Sequence, residues 1–142
     1  MTDRDVVAAK LAELEDRLAR VRGNVRGSAH ELASDRDASE LVAFNLMLAV
    51  QTCLDVASHI IADERWPPAA TLAESFHRLA ERGVITATTD AALGRAASFR
   101  NVVAHGYGRV VAELLFTAAT DGVRDLERFA REIAAWMART DS

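Results

Sequence analysis

An all-α bundle of about five helices is the fold class this sequence predicts, on three observations. Half of the residues are hydrophobic, while only seven glycines and two prolines interrupt the chain, a composition that favours helix. Apolar residues recur at three- and four-residue spacing over long stretches, the period of a buried helix face. No run alternates apolar with polar residues, and no internal repeat or low-complexity segment occurs, which argues against strands and solenoids. The 142 residues suit a single domain, 1–142, with a real hydrophobic core.

Each helix has its own signals. Thr2 or Asp3 can cap the first, in which Val6, Val7, Leu11, Leu14, Leu18 and Val21 recur at helical spacing. Gly23 and Gly27 mark its end or a break in it, and "SAHELASDRD" reads as a connector with one helical turn. A long second helix is expected from about Asp35 to Glu64. Apolar residues, among them Leu41, Phe44, Leu48, Leu54, Ile60 and Ile61, lie nearly all round it, so it is central or buried on two sides. One side would then face its own bundle and the other a second subunit. "WPPA", Trp66 to Ala69, is expected to stop this helix and open the next, because a proline ends a helix but fits a first turn. The third helix covers about Ala69 to Arg82 and closes at Gly83, and the fourth runs from about Thr88 to Ala104, before Gly106 and Gly108. The last runs from about Val110 to Arg139, with Gly122 as a soft point inside it.

Composition excludes several function classes. No uninterrupted apolar run reaches the roughly 18 residues of a membrane span. The charged start "MTDRDVVAAKLAELEDRLAR" lacks a secretory apolar core, so a cytoplasmic protein with no membrane partner is expected. The single cysteine, Cys53, precludes an internal disulfide framework or a multi-cysteine zinc site. The net charge of −4 speaks against nucleic-acid binding through bulk charge. Between His77 and Arg109, however, arginines 78, 82, 95, 100 and 109 face only Glu81 and Asp90, which allows a local basic patch.

The stretch "FRNVVAHGYGR", Phe99 to Arg109, gathers Arg100, Asn101, His105 and Tyr107 at one helix end. Five residues separate Arg100 from His105, about 140° of rotation on a continuing helix, so the two would not share a face. If the helix ends near Ala104, His105 can fold back across the terminus toward Arg100. Arginine forks onto phosphate oxygens, and histidine exchanges a proton near neutral pH. Asn101 adds a neutral donor and acceptor. These groups suit a phosphodiester, and RNA carries its own nucleophile in the 2′-hydroxyl. An enzyme with a phosphate clamp and one acid–base group needs no metal or cofactor to cleave it, and would leave a 2′,3′-cyclic phosphate and a 5′-hydroxyl. The same Arg and His can instead cap carbonyls and complement the helix dipole, and Tyr107 can pack over the helix end.

The R-N-x-x-x-H-x-Y pattern of "RNVVAHGY" resembles that of the HepT-like toxins, within the HEPN group of helical ribonucleases. "FNLMLAVQTCLDVASHIIAD" resembles the central helix of that family, "SFHRLAERGVI" the segment that follows, and "LERFAREIAAW" its closing helix. The likeness covers about residues 3 to 138. It implies a HEPN-like up-and-down bundle that forms a homodimer with paired motifs lining a shared cleft. It implies metal-independent endoribonuclease activity on RNA, often tRNA or mRNA, with growth arrest as the outcome. By position, Arg100 and His105 are then the catalytic pair and Asn101 a supporting residue. Tyr107 matches the tyrosine that receives AMP from the cognate antitoxin, a minimal nucleotidyltransferase of the MntA type. The competing expectation is a non-catalytic nucleotide-binding or scaffold partner of that nucleotidyltransferase, in which the motif binds phosphate without cutting.

Other polar residues carry weaker signals. Asp55 and His59 are four apart and share a helix face, which reads first as a buried or interfacial structural pair, with a contribution to the cleft or a hold on a ligand as the alternatives. Asn45 and Gln51 interrupt the apolar run as hydrogen-bonded inter-helix or interface groups. His30 and His77 read as surface residues without companions, Cys53 as core filler, and Trp66 and Trp136 as core or dimer contacts.

Overall fold

The computed structural model describes residues 1–104 and 112–140, and every secondary-structure element among them is helical. Helix α1 (Arg4–Asn24) starts at Asp3, whose carboxylate accepts from the backbone N–H groups of Asp5 and Val6. Four residues on its buried face, Val7, Leu14, Leu18 and Val21, pack along the central helix. The expected single turn in the connector is α2 (Ala29–Ser34), capped by Ser28. Glu31 reaches back to the Gly27 N–H at 3.1 Å, so side chains satisfy donors on both sides of this short helix's start.

Helix α3 (Arg36–Asp63) begins at the Asp35 cap and contacts α1, α2, α4, α5 and α7. It is the centre of the bundle, as its all-round apolar pattern requires. It is long and apolar enough to cross a membrane, but 56% of its apolar window is buried inside the bundle, as in the core helix of a globular domain. Burial within the chain is nevertheless one-sided. Leu41 and Phe44 remain 47% and 51% exposed.

Helix α3 ends where expected, at the C-cap Glu64, but not for the expected reason. The prolines neither stop this helix nor open the next. Arg65, two residues before Pro67, adopts a left-handed conformation at φ 59°. Its N–H bonds to the Ala62 carbonyl, and the Trp66 N–H to that of Ile61, which closes the helix in a Schellman-type turn. Helix α4 (Leu72–Glu81) starts beyond the prolines, at a Thr71 hydroxyl that accepts from the Glu74 N–H. Gly83, at φ 74°, closes α4 in the expected way, with the Val84 N–H bonded to the Leu79 carbonyl. A side chain in the left-handed region costs more than glycine does. Arg65→Gly is therefore expected to raise stability by about 0.5–1 kcal/mol, read as a higher midpoint of urea unfolding. An unchanged or lower midpoint would mean that the arginine side chain contributes more than its backbone strain costs.

Helix α5 (Ala87–Ala104) carries the motif and packs on α3, α4 and α7. The chain then closes with α6 (Ala112–Thr117), a five-residue π-helical turn (Ala118–Gly122) and α7 (Val123–Thr140). The backbone is right-handed helical at both joints, Thr117 and Val123. From Ala112 onward the closing helix of the sequence reading is thus continuous, with a widened turn ending at Gly122, the position expected to be soft; its expected start at Val110 lies outside the described residues. Leu126, Phe129, Ile133 and Trp136 face the core from α7, and the Phe129 ring meets Phe76 of α4 edge-on at 5.8 Å. Trp136 meets the half-buried Trp66 at 6.2 Å, with the Arg82 guanidinium 5.3 Å from the Trp66 ring centre. Both tryptophans are therefore packing residues.

Candidate active site

The start of α5 is fixed by charge placed at a helix N-terminus. The Glu132 carboxylate of α7 accepts from the Thr86 N–H at 2.7 Å and from the buried Thr89 hydroxyl at 2.8 Å. Arg128 donates to the same hydroxyl at 2.8 Å. A carboxylate here meets the unpaired N–H groups and the positive end of the helix dipole. Ala92, Leu93, Ala97 and Phe99 then bury one face of α5. With the helix anchored at its start and along its length, Arg100 and Asn101 are delivered at its last turn.

Arg100 is half-buried and reaches across to α3. Its Nη2 donates to Gln51 Oε1 at 2.8 Å, and its Nη1 donates to Asn101 Oδ1 at 3.2 Å. Gln51 in turn donates from Nε2 to Asp55 Oδ1 at 3.1 Å. The other Asp55 oxygen lies 3.6 Å from Lys10 Nζ on α1, which also meets Glu13 at 3.4 Å. Burial pulls the Lys10 pKa down, but the Glu13 and Asp55 carboxylates outweigh it and hold the value above that of an ordinary lysine. The result is one polar path from α1 through α3 to the motif on α5. Each terminal nitrogen of a guanidinium carries two N–H groups. Among the described residues, Gln51 and Asn101 use one on each, which leaves one on each for a phosphate oxygen. Arg100 Nε is buried and has no hydrogen-bond partner among the described residues.

Gln51 is the residue that sequence reasoning missed in this role. The only signal was an amide in an apolar run, four residues before a carboxylate. The expected pairing of Asp55 with His59 does not form. Asp55 is taken by Gln51 and Lys10, while His59 Nε2 approaches Asp63 Oδ2 at 3.0 Å, one turn further on. That approach is close but off the hydrogen-bonding direction of the ring nitrogen, which has no bond among the described residues. The same Asp63 oxygen accepts from the Asp3 N–H at 2.9 Å. Asp55 therefore belongs to the Arg100 network, and His59 to the far end of α3.

His105 and Tyr107 lie outside the described residues, as do Gly106, Gly108 and Arg109. The described part of α5 ends at Ala104.

The remaining polar residues divide as follows. Asn45, only 4% exposed, donates to the Leu41 carbonyl and accepts from Arg17, the satisfied inter-helix group expected of it. Cys53 is fully buried, which pushes its thiol pKa up and makes it inert filler. His30 is exposed. His77 does have a companion, contrary to expectation: its Nδ1 lies 3.0 Å from Asp90 Oδ2 of α5. The hydrogen bond to Asp90 holds the His77 pKa above its ordinary value. Two of the five arginines in the basic stretch are occupied structurally, Arg78 by Glu74, Glu81 and the Pro67 carbonyl, and Arg82 by Trp66.

Two surfaces adjoin the Arg100 network. Leu41, Phe44, Leu48, Gln51 and Asp55 fall within an arc of about 80° on α3, so the exposed apolar stripe runs directly into the polar path. A cavity of about 290 Å³, walled by Leu46, Val50, Phe99, Leu114 and Leu126, lies under the neighbouring face of α5 and is bordered by Arg95. It does not include Arg100 or Gln51.

Comparison with known proteins agrees with this architecture. A family model described as ribonuclease HepT-like matches residues 14–133. The mRNA nuclease HepT of Shewanella oneidensis is 24% identical over 131 residues, which covers 92% of this chain and 98% of that protein. A solved complex of the tri-AMPylated Shewanella oneidensis HEPN toxin with MNT antitoxin superposes with a TM-score of 0.85 at 22% identity, over 94% of this chain and 99% of the matched one. The cytosolic protein of unknown function YutE from Bacillus subtilis superposes with a TM-score of 0.84 at 14% identity, over 98% of this chain and 93% of its own. At such identities the superpositions establish the fold, an all-α HEPN-like bundle.

Proposed function

The chain belongs to the HepT-like family, and on that premise we propose that it is the toxin of a type VII, HepT/MntA-like toxin–antitoxin pair, an endoribonuclease that works without a metal. Arg100 and His105 are its catalytic pair, and Asn101 supports Arg100. The observation that carries this reading is the bracing of Arg100. A guanidinium held by Gln51 and Asn101 at the end of α5, five positions before His105, is a preorganised clamp for a phosphodiester.

The chemistry follows from the groups. The RNA 2′-oxygen attacks the adjacent phosphorus as a base removes its proton. The P–O bond to the 5′-oxygen breaks, and that oxygen takes up a proton. The products are a 2′,3′-cyclic phosphate and a 5′-hydroxyl. Histidine suits the proton transfers, and Arg100 neutralises charge that builds on the phosphoryl oxygens. One histidine is few for both acid and base roles. A homodimer supplies two, and the exposed Leu41 and Phe44 beside Gln51 are the apolar surface on which a second copy would close the cleft. Cellular RNA, tRNA or mRNA, is the substrate class.

Control is assigned to Tyr107, as the acceptor of AMP from an MntA-like nucleotidyltransferase. The transfer forms a phosphodiester between the tyrosine oxygen and the α-phosphorus of ATP, and releases pyrophosphate. A bulky anion two residues from His105 fills the cleft and repels the RNA backbone. Incubation with that nucleotidyltransferase and ATP is expected to add mass in whole units of AMP and to stop RNA cleavage. Tyr107→Phe should gain no mass; if it gains as much as wild type, the acceptor is elsewhere.

A further inference from the structure

The path that ends on Arg100 begins far from the motif, and its order gives each member a separate task. The Gln51 amide can present either its oxygen or its NH2 group to a neighbour. Only the oxygen can accept from a guanidinium. Asp55, one helical turn below, accepts from Nε2 at 3.1 Å and so fixes which end faces Arg100. Lys10, 3.6 Å from the second Asp55 oxygen, pairs with that carboxylate and turns it along α3. The Arg100 Nη2 bond to Gln51 is the shorter of its two, 2.8 Å against 3.2 Å to Asn101. Asn101 is the next residue in the same helix, whereas Gln51 is on another helix. Among the described residues, Gln51 alone therefore ties the guanidinium to the scaffold rather than to its own backbone neighbour.

We infer that Gln51, oriented by Asp55, is the positioning residue that holds Arg100 for phosphate binding. The inference rests on the ribonuclease reading for its kinetic consequence, and stands on geometry alone for its structural one. Among the described residues, Gln51 and Asn101 together leave one N–H on each terminal nitrogen, so Gln51 can stay bonded while substrate binds. Asp55 acts at one remove, because it never faces Arg100 and serves only to keep the amide from turning over. A carboxylate at position 51 would hold Arg100 too, but it would neutralise the charge that the phosphate needs. An amide supplies an acceptor without a competing anion, which is a physical reason for glutamine at this position.

Two measurements test this on the full chain. The first uses arginine-selective ¹⁵N NMR at low temperature, with Arg100 assigned by the signal lost in Arg100→Lys. Resolved Arg100 Nη resonances are expected in wild type, where rotation of the guanidinium is held, and averaged ones in Gln51→Leu and in Asp55→Leu. Gln51→Glu should retain them. The second is cleavage of a mixed-sequence single-stranded RNA. Gln51→Leu is expected to lower kcat about tenfold, the worth of one hydrogen bond to a charged group, with KM within about twofold, because position rather than ground-state binding is lost. Gln51→Glu should instead raise KM. Gln51→Asn, which keeps the amide but falls one methylene short, serves if the leucine variant does not fold. Arg100 resonances unchanged in Asp55→Leu, or a kcat unchanged in both Gln51→Leu and Gln51→Asn, would overturn the inference. A wild type that cleaves no RNA would sink the ribonuclease reading instead, and the resonances would then decide the bracing by themselves.

Discussion

Arg100→Ala is expected to lower RNA cleavage by about a hundredfold or more while leaving the fold intact. The magnitude is that of removing one preorganised donor from a developing anion. The fold should survive because the two described hydrogen bonds of Arg100 go to half-buried polar side chains, Gln51 of α3 and Asn101 of α5, not to the apolar core. Ala97 and Phe99, which do bury α5, are untouched. Arg100→Lys should recover little. An ammonium on a flexible stem keeps the charge but cannot span Gln51 and Asn101 while offering a fork to phosphate. Steady-state cleavage of one RNA by all three proteins, with circular dichroism as a check on folding, decides the matter. Cleavage within a few-fold of wild type in Arg100→Ala would remove the arginine from the mechanism.

Phe129→Ala carries the largest expected stability loss, about 3–5 kcal/mol. Phe129 is fully buried, and its ring meets Phe76 edge-on at 5.8 Å and 84°, a favourable aromatic geometry. The pair ties α7 to α4. Truncation leaves a cavity between two helices that are held apart by their other contacts, so collapse will be partial. Domains of this size are stable by only about 5–15 kcal/mol, and the melting temperature should fall by about 10 °C. Because α7 also supplies the Glu132 carboxylate that anchors the start of α5, ribonuclease activity should be lost at lower temperature as well. A loss below about 1 kcal/mol in urea unfolding would mean that the core closes over the gap.

Helix starts were the most legible part of this sequence. Asp3 and Asp35 stand before periodic apolar runs, and both prove to be caps. The signal is local, since a cap bonds N–H groups two or three residues away. The place where α3 ends was read correctly, near Glu64, but its cause was misassigned: Pro67 and Pro68 are strong local breakers, whereas the actual stop is a left-handed Arg65. Arginine rarely takes that conformation, so nothing in its identity announces it. Gly122 foretold a weak point in the closing helix, but a glycine alone does not distinguish a kink from the π-helical turn that forms there.

The site was legible only in part, for a related reason. Periodicity correctly put Asp55 and His59 on one face of α3, yet a shared face does not determine partners. Each has a nearer or better-aligned neighbour, Gln51 and Lys10 for Asp55 and Asp63 for His59. The bond from Arg100 to Gln51 joins residues 49 positions apart. It depends on how α3 and α5 cross, which no spacing rule encodes. Arg100 and Asn101 were found through the motif, whose other members, His105 and Tyr107, lie outside the described residues.

The central claim is that this chain cuts RNA through Arg100 and His105 without a metal. Its most direct test is cleavage of a 5′-labelled RNA in excess EDTA by wild type beside His105→Ala. Wild type is expected to cut and to leave a 2′,3′-cyclic phosphate end, and the variant to lose activity by about a hundredfold or more. No cleavage by wild type in EDTA, or equal cleavage by both proteins, would contradict the account.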